Sequence, residues 1–426
     1  MLDLKLLRDN PEAVRQGLQR RNATFDLEPL LTWETRRRSM LKEVDEKRHQ
    51  LRRRSEAFGR QKAQGATAPP AELKTLSDDI THQEGNLQVL EEGLRREWAC
   101  VPNIPHASVP AGDASQNQVV RTHGAKPQPA FQPKTYLALG EQLRLFDFAR
   151  AAKITASHFP LYWGLGARLE RALTQWMLDV QTTEHGYTEI FPPFLVNRDS
   201  MFGTGQLPKF EEDMYRLKDD DLFLVPTAEV PITNLYRDEV LEEEQLPLLH
   251  TGYTACFRRE AGSYGKDTKG LVRVHQFDKV ELVKFTTPER SYDEHEQLVR
   301  NAETILQRLG LHYRVVLLAA GDLGFSAAKC YDLEAWAPGL GQYLEVSSCS
   351  NFEDFQARRA NIRYRAKATK KVGFVHTLNG SGVALARTVI ALLETHQQAD
   401  GRVLIPEPLR PYLDGRTHLD AAAGRR

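Results

Sequence analysis

Residues Phe257–Phe285 read FRREAGSYGKDTKGLVRVHQFDKVELVKF. Arg258 stands two positions before Glu260, a Gly-rich stretch follows, and Arg273 precedes Phe277 by four. The closing run, Lys279–Phe285, is apolar and β-branched enough to predict a strand, as are Leu222–Val225, Leu248–Tyr253 and Tyr343–Ser347. Gly166–His185, Tyr292–Leu309 and Ala384–His396 read as amphipathic helices. Strands and helices mixed without a regular βαβ alternation predict an α+β domain, not a doubly wound parallel sheet. The common nucleotide signatures fail. GKDT (Gly265–Thr268) has Asp267 where a P-loop needs Ser or Thr, no GxG pair extends to GxGxxG, and HExxH and GxSxG do not occur.

Upstream, the composition changes. Leu30–Ala63 holds one glycine, Gly59, and no proline, with Leu41, Val44, Leu51 and Phe58 on a 3–4 spaced seam. GATAPP (Gly65–Pro70) breaks the run, and Leu73, Leu76, Ile80, Leu87, Leu90 and Leu94 then repeat at heptad spacing with Gln83 intruding. Two such seams joined by a short turn predict an antiparallel coiled-coil hairpin over about residues 27–100. Each arm would project about 50 Å at 1.5 Å per residue. The first arm is strongly basic and includes Arg36, Arg37, Lys47, Arg52 and Arg53. That pattern fits a solvated helix face, and it equally fits an arm that contacts phosphates.

The whole chain has 426 residues with 57 Lys+Arg against 57 Asp+Glu, so it does not bind nucleic acid by overall basicity. Four scattered cysteines without a CxxC pair argue against a disulfide framework or a structural zinc cluster. The opening MLDLKLLRDNPE lacks the apolar core of a secretory signal. No apolar run approaches the roughly 20 residues of a membrane span, so a cytoplasmic chain is expected. The boundaries read from these shifts are an N-terminal domain at 1–103, a proline-rich linker at 104–133, a second domain at 134–416 and a disordered tail at 417–426.

Two more segments accompany the first. GYTEIFPPFLV (Gly186–Val196) is a strand-like run broken by Pro192 and Pro193, and NGSGVALARTVIALLE (Asn379–Glu394) is a Gly-rich turn leading into a helix with Arg387. In order and spacing, the three together resemble the signature motifs of the class II aminoacyl-tRNA synthetases. TGQLPKFEEDMY (Thr204–Tyr215), PTAEVPITN (Pro226–Asn234), LEVSSCSNFEDFQARRANIRYR (Leu344–Arg365) and VHTLNGSG (Val375–Gly382) narrow the likeness. The chain resembles the bacterial-type seryl-tRNA synthetase family from residue 1 to about 415.

That resemblance implies an antiparallel sheet flanked by helices, a hairpin that reaches the long variable arm of serine tRNA, and a symmetric homodimer. It also implies ATP-dependent activation of serine through a seryl-adenylate, with Mg²⁺, and serylation of selenocysteine tRNA where one exists. By resemblance, Arg258 bridges the serine carboxylate and the α-phosphate, Glu260 accepts from the adenine amino group, and the ring stacks between Phe277 and Arg387. Val274, Val346, Ser347 and Arg259 complete the ATP site, with Glu345 and Ser348 as metal ligands. Thr227, Ala228, Glu229, Glu281, Asn379 and Ser381 form the serine pocket, and Lys266 and Lys269 guide the acceptor end. Arg259 departs from the family, which more often has a small residue there, and SHFPLYWG (Ser157–Gly164) and APGLGQ (Ala337–Gln342) depart outside the motifs. Rival readings are a catalytically silent relative, a ligase that charges a carrier protein, and a coiled-coil scaffold. Retention of Arg258, Glu260, Glu281, Glu345 and Arg387 weighs against the first, and the hairpin against the second.

Overall fold

A computed structural model describes residues 1–62, 71–260 and 270–421. The chain divides into two compact units, one of Leu2–Gln19 with Ala23–Pro102, the other of Met1, Arg20–Asn22 and Asn103–Arg426.

In the first unit, α1 (Leu4–Asp9) is capped by the Asp3 carboxylate, which accepts from the Lys5 amide. Helix α2 (Pro11–Arg20) begins on the proline, where a missing N–H is no loss. The long helices α3 (Glu28–Lys62) and α4 (Ala71–Trp98) form the two arms. Val44, Ile80, Leu87 and Leu94 of the expected seam are buried, and Leu41, Leu51 and Phe58 are half-buried. Ion pairs link the arms in antiparallel sense: Arg37 to Glu91 at 3.2 Å, Lys47 to Asp79 at 2.5 Å and Arg54 to Glu72 at 3.0 Å. Glu34 lies buried in the seam and takes both forks of Arg37, at 2.7 and 3.1 Å.

The second unit is built on one eight-stranded sheet. Its strands are β1 (Gln118–His123), β2 (Thr188–Glu189), β3 (Leu248–Phe257), β4 (Gln276–Thr286), β5 (Tyr313–Leu317), β6 (Lys329–Ala337), β7 (Gln342–Asn351) and β8 (His376–Ala384). Their spatial order is β1-β5-β6-β7-β8-β4-β3-β2. Every pairing is antiparallel except the short parallel contact of β2 with β3 at the edge. Helices α5 (Leu165–Thr183), α6 (Ser291–Arg308) and α7 (Leu385–His396) contribute Leu173, Ile305 and Ile390 to one core with Val280 and Leu282 of β4. Because side chains alternate along a strand, Phe277, Lys279 and Glu281 face the other way.

Two sequence boundaries need correction. The expected linker, 104–133, contains β1, whose short QVVRTH run pairs with β5 and so belongs to the sheet. The tail expected from 417 begins with an ordered pairing: His418 and Leu419 run antiparallel to Leu404 and Val403, and Leu419 is fully buried. Two-residue strands carry no periodicity for a sequence to display. The expected turn at Gly65–Pro70, and Lys266 and Lys269, lie outside the described residues.

Candidate active site

Arg258 leaves the end of β3 and is fixed by its backbone, whose N–H donates to the His275 carbonyl at 2.9 Å, and by its Nε, which donates to the Pro226 carbonyl at 3.3 Å. Its guanidinium carbon lies 5.2 Å from the Phe277 ring centroid. Glu260, two residues on, has φ +51°, a left-handed conformation that non-glycine residues seldom adopt and that recurs at functional sites. Its carboxylate meets Arg273 at 3.2 Å. Arg387, in the first turn of α7, donates from Nε to the Val272 carbonyl at 3.1 Å and from Nη1 to the Glu345 carbonyl at 3.0 Å, with the Glu345 carboxylate at 3.3 Å.

Glu345 and Ser348 are three apart, a spacing that normally sends strand side chains to opposite faces. The β6–β7 register slips between Glu345 and Ser347, and this bulge switches the parity: Leu344 and Val346 join the core before it, Cys349 after it. Both Glu345 and Ser348 therefore border one cleft. Among the described residues no group of three or more His, Cys, Asp or Glu side chains is placed to hold a metal. One carboxylate and one hydroxyl fit a hard cation that takes most of its ligands from phosphate and water, the usual binding mode of Mg²⁺.

The cleft has a volume of about 530 Å³. A group of buried charges adjoins it. Glu281 is fully buried on β4; Asn379 of β8 donates from Nδ2 to its Oε1 at 3.0 Å, and Lys279 Nζ lies 2.5 Å from Oε2. Ser381 sits directly across the ladder from Glu281. Glu229 opens a short helix, Glu229–Thr233, and accepts from Gln356 Nε2 at 2.6 Å. Its carboxyl is pushed up to about 7, chiefly by burial and next by the Glu281 charge, while the Gln356 bond, Lys279 and Arg258 work the other way.

Of the residues expected from sequence, the cleft is lined by Thr227, Glu229, Arg258, Glu260, Val274, Phe277, Glu345, Val346, Ser348, Asn379, Ser381 and Arg387. Glu281 lies directly behind Asn379. Ala228 packs into an apolar cluster, Ser347 donates to the Ser381 carbonyl at 2.6 Å, and Arg259 is held through its backbone N–H to the Asp213 carbonyl at 3.1 Å; none of these three borders the cleft. Arg36, Arg52 and Arg53 are exposed on the hairpin without a side-chain ion pair among the described residues, whereas Arg37 and Lys47 are engaged by Glu34, Glu91 and Asp79. The sequence reading placed Arg273 in the motif without giving it a role, and missed Lys279 and Gln356. Lys279 was within reach, since it shares a strand face with Phe277 and Glu281; Gln356 reaches Glu229 from the helix Phe355–Ala360, 127 positions along the chain, and left no local signal.

An antiparallel sheet with an arginine at the end of one strand and another in the helix after the last strand is the core of the class II aminoacyl-tRNA synthetases. Residues 209–396 match the tRNA synthetase class II core domain (G, H, P, S and T), and residues 1–105 match the seryl-tRNA synthetase N-terminal domain. A serine–tRNA ligase of Carboxydothermus hydrogenoformans is 54% identical over 416 residues, covering 97% of this chain and 98% of that protein. One from Syntrophobacter fumaroxidans is 53% identical over 430 residues, covering 99% and 100%. The crystal structure of seryl-tRNA synthetase from Pyrococcus horikoshii complexed with ATP superposes with a TM-score of 0.91 at 38% identity, covering 99% of each chain. The chain belongs to the seryl-tRNA synthetase (serine–tRNA ligase) family of class II aminoacyl-tRNA synthetases. No helix among the described residues is long and apolar enough to cross a membrane.

Proposed function

We propose that this cytoplasmic enzyme attaches L-serine to serine tRNA in two steps, through a seryl-adenylate, and also serylates selenocysteine tRNA in cells that possess one. In the first step a serine carboxylate oxygen attacks the α-phosphorus of ATP and pyrophosphate leaves. In the second the terminal ribose hydroxyl of the tRNA takes the seryl group and AMP leaves. Neither step needs a protein nucleophile, so the work falls to alignment and charge stabilisation. The observation that carries this reading is a single cleft bordered by Arg258, Glu260, Phe277, Glu345 and Arg387 together with Thr227, Glu229, Asn379 and Ser381.

Arg258 spans the serine carboxylate and the α-phosphate, a task for which a planar guanidinium suits better than an ammonium. Phe277 offers a face to adenine, and Glu260 takes the amino group. Arg387, on exchanging Glu345 for phosphate, turns to the nucleotide. Glu345 and Ser348 would hold Mg²⁺, which would supply neutralisation of the phosphate charge. Glu281 and Glu229 receive the ammonium and hydroxyl of serine; a buried polar pocket of this kind rejects alanine because its own groups would be left unpaired. The exposed Arg36, Arg52 and Arg53 of the hairpin meet the tRNA backbone, Lys266 and Lys269 steer the acceptor end, and two chains assemble as a symmetric dimer.

Serine-dependent ATP–pyrophosphate exchange, followed by charging of total tRNA with labelled serine, tests the proposal. Exchange without charging would leave an adenylating enzyme of another kind, and absence of exchange would end the reading.

A further inference from the structure

One side of the cleft is given no part in holding ATP or serine by the proposed function. It is formed by Gly205, Gln206 and Phe210 of one loop and Gly324, Phe325 and Ser326 of another. The Phe210 and Phe325 rings meet edge to face at 6.0 Å and 86°, both partly exposed, and Lys209 Nζ lies 5.5 and 5.3 Å from their centroids. Gln206 accepts the Thr204 hydroxyl through Oε1, which leaves its NH₂ group as a donor.

These loops are held by buried side chains. Arg21, without a carboxylate partner among the described residues, donates to the carbonyls of Asn103 at 2.6 Å, Leu323 at 3.1 Å, Gly324 at 3.3 Å and Ala327. Arg359 donates to the carbonyls of Phe202 at 2.7 Å and Leu207 at 2.5 Å, and Gln356 to that of Thr204 at 3.2 Å. Ser326 Oγ ties the two loops together by donating to the Thr204 carbonyl at 3.1 Å. A buried guanidinium spent on main-chain carbonyls makes sense where the loop's shape must be fixed in advance of a ligand.

We infer that this wall receives the 3′-terminal nucleoside of the tRNA, its base against the Phe325–Phe210 pair and its phosphate toward Lys209. The inference rests on the proposed two-step reaction. With nucleotide on the Phe277 and Arg387 side, the acceptor hydroxyl must approach the seryl group from another wall, and this one adjoins Glu229 through the Gln356 amide they share. The hydroxyl oxygen forms an ester bond to the seryl carbonyl carbon, the bond from that carbon to the phosphate oxygen breaks, and AMP leaves with the electron pair and the hydroxyl proton. Aromatic stacking suits a nucleoside because every base presents a π-face.

The test uses the full-length enzyme carrying preformed adenylate, mixed in a single turnover with total tRNA, intact or trimmed of its terminal adenosine. Phe325→Ala is expected to keep serine-dependent exchange within about twofold while transfer slows roughly tenfold, the scale of one base stacked on one ring. Phe325→Tyr restores transfer. The wild type's preference for intact over trimmed tRNA in competitive binding disappears in Phe325→Ala. Lys209→Gln, at an exposed position that folding does not depend on, weakens intact tRNA and leaves trimmed tRNA unchanged. Transfer at the wild-type rate, exchange falling in step with transfer, or a preserved preference for intact tRNA overturns the inference. Absence of exchange in the wild type instead defeats the reaction on which it rests.

Discussion

The hairpin and the cleft use the same charged residue types in opposite settings. Lys47 and Asp79 pair across the hairpin with side chains 27% and 45% exposed; Lys279 and Glu281 pair beside the cleft at 7% and 0%. In the first setting water and salt do most of the work, and a pair contributes about 0–1 kcal/mol. In the second the charges have been taken out of water, and each is tolerable only while the other is present. The hairpin can therefore lose one charge with little effect on its fold. The cleft cannot.

The largest effect is expected at Glu281. Glu281→Gln should lower serine-dependent exchange by about a thousandfold or more, while ATP binding followed by calorimetry stays within a few-fold. Comparable exchange in the variant would remove Glu281 from the serine pocket. Next in size is Lys279→Ala, which strands the Glu281 charge; denaturant unfolding should show a loss of about 3–5 kcal/mol, and Lys279→Met combined with Glu281→Leu should recover much of it without recovering activity. A double variant no more stable than the single would break the contrast between the two settings.

Glu229 gives a pH signature. Its carboxyl is raised from an ordinary 4.5 to about 7, so the folded protein holds that proton more tightly than the unfolded chain. The associated stability is complete below pH 4.5 and is lost as pH rises through 7. Serine needs the ionised form of Glu229, which shares the ammonium with Glu281, so KM for serine should fall about tenfold from pH 6 to pH 8. Glu229→Gln should abolish the slope, whatever it does to the absolute value.

On the hairpin, Arg52→Ala and Arg53→Ala should each reduce the salt slope of tRNA binding by about one and leave thermal unfolding unchanged. The smallest effect belongs to Lys47→Ala, expected to alter stability by less than about 1 kcal/mol in the same denaturant titration used for Lys279.

The two regions also differed in how openly the sequence declared them. A hairpin needs only a repeated seam, and Val44, Ile80, Leu87 and Leu94 lie on one; the same spacing takes in Glu34, and what it did not foretell was the burial of that acid with Arg37 folded back onto it. The cleft was readable where it coincides with motif letters, as at Arg258, Phe277 and Arg387. It was not readable where a residue works through tertiary contact. Gln356 reaches Glu229 from a helix more than a hundred residues later in the chain, and Arg21 reaches the loop at 323–327 from near the start. The edge strand Gln118–His123 escaped because its pattern is mostly polar, and the 418–419 pairing because two residues have no period.

The irregularity between Glu345 and Ser347 has one last consequence. Substitutions along that strand change one side chain at a time and can be compensated locally. Removing Val346, the extra residue, would regularise the pleat and leave Ser347–Asn351 opposite their present partners, whereas removing Ser348 would turn the strand over beyond the gap, carrying Ser350 into the interior and Cys349 out of it. Beyond the bulge the strand is thus constrained in length more tightly than in letters, and a natural or engineered deletion there should be tolerated less well than any single replacement.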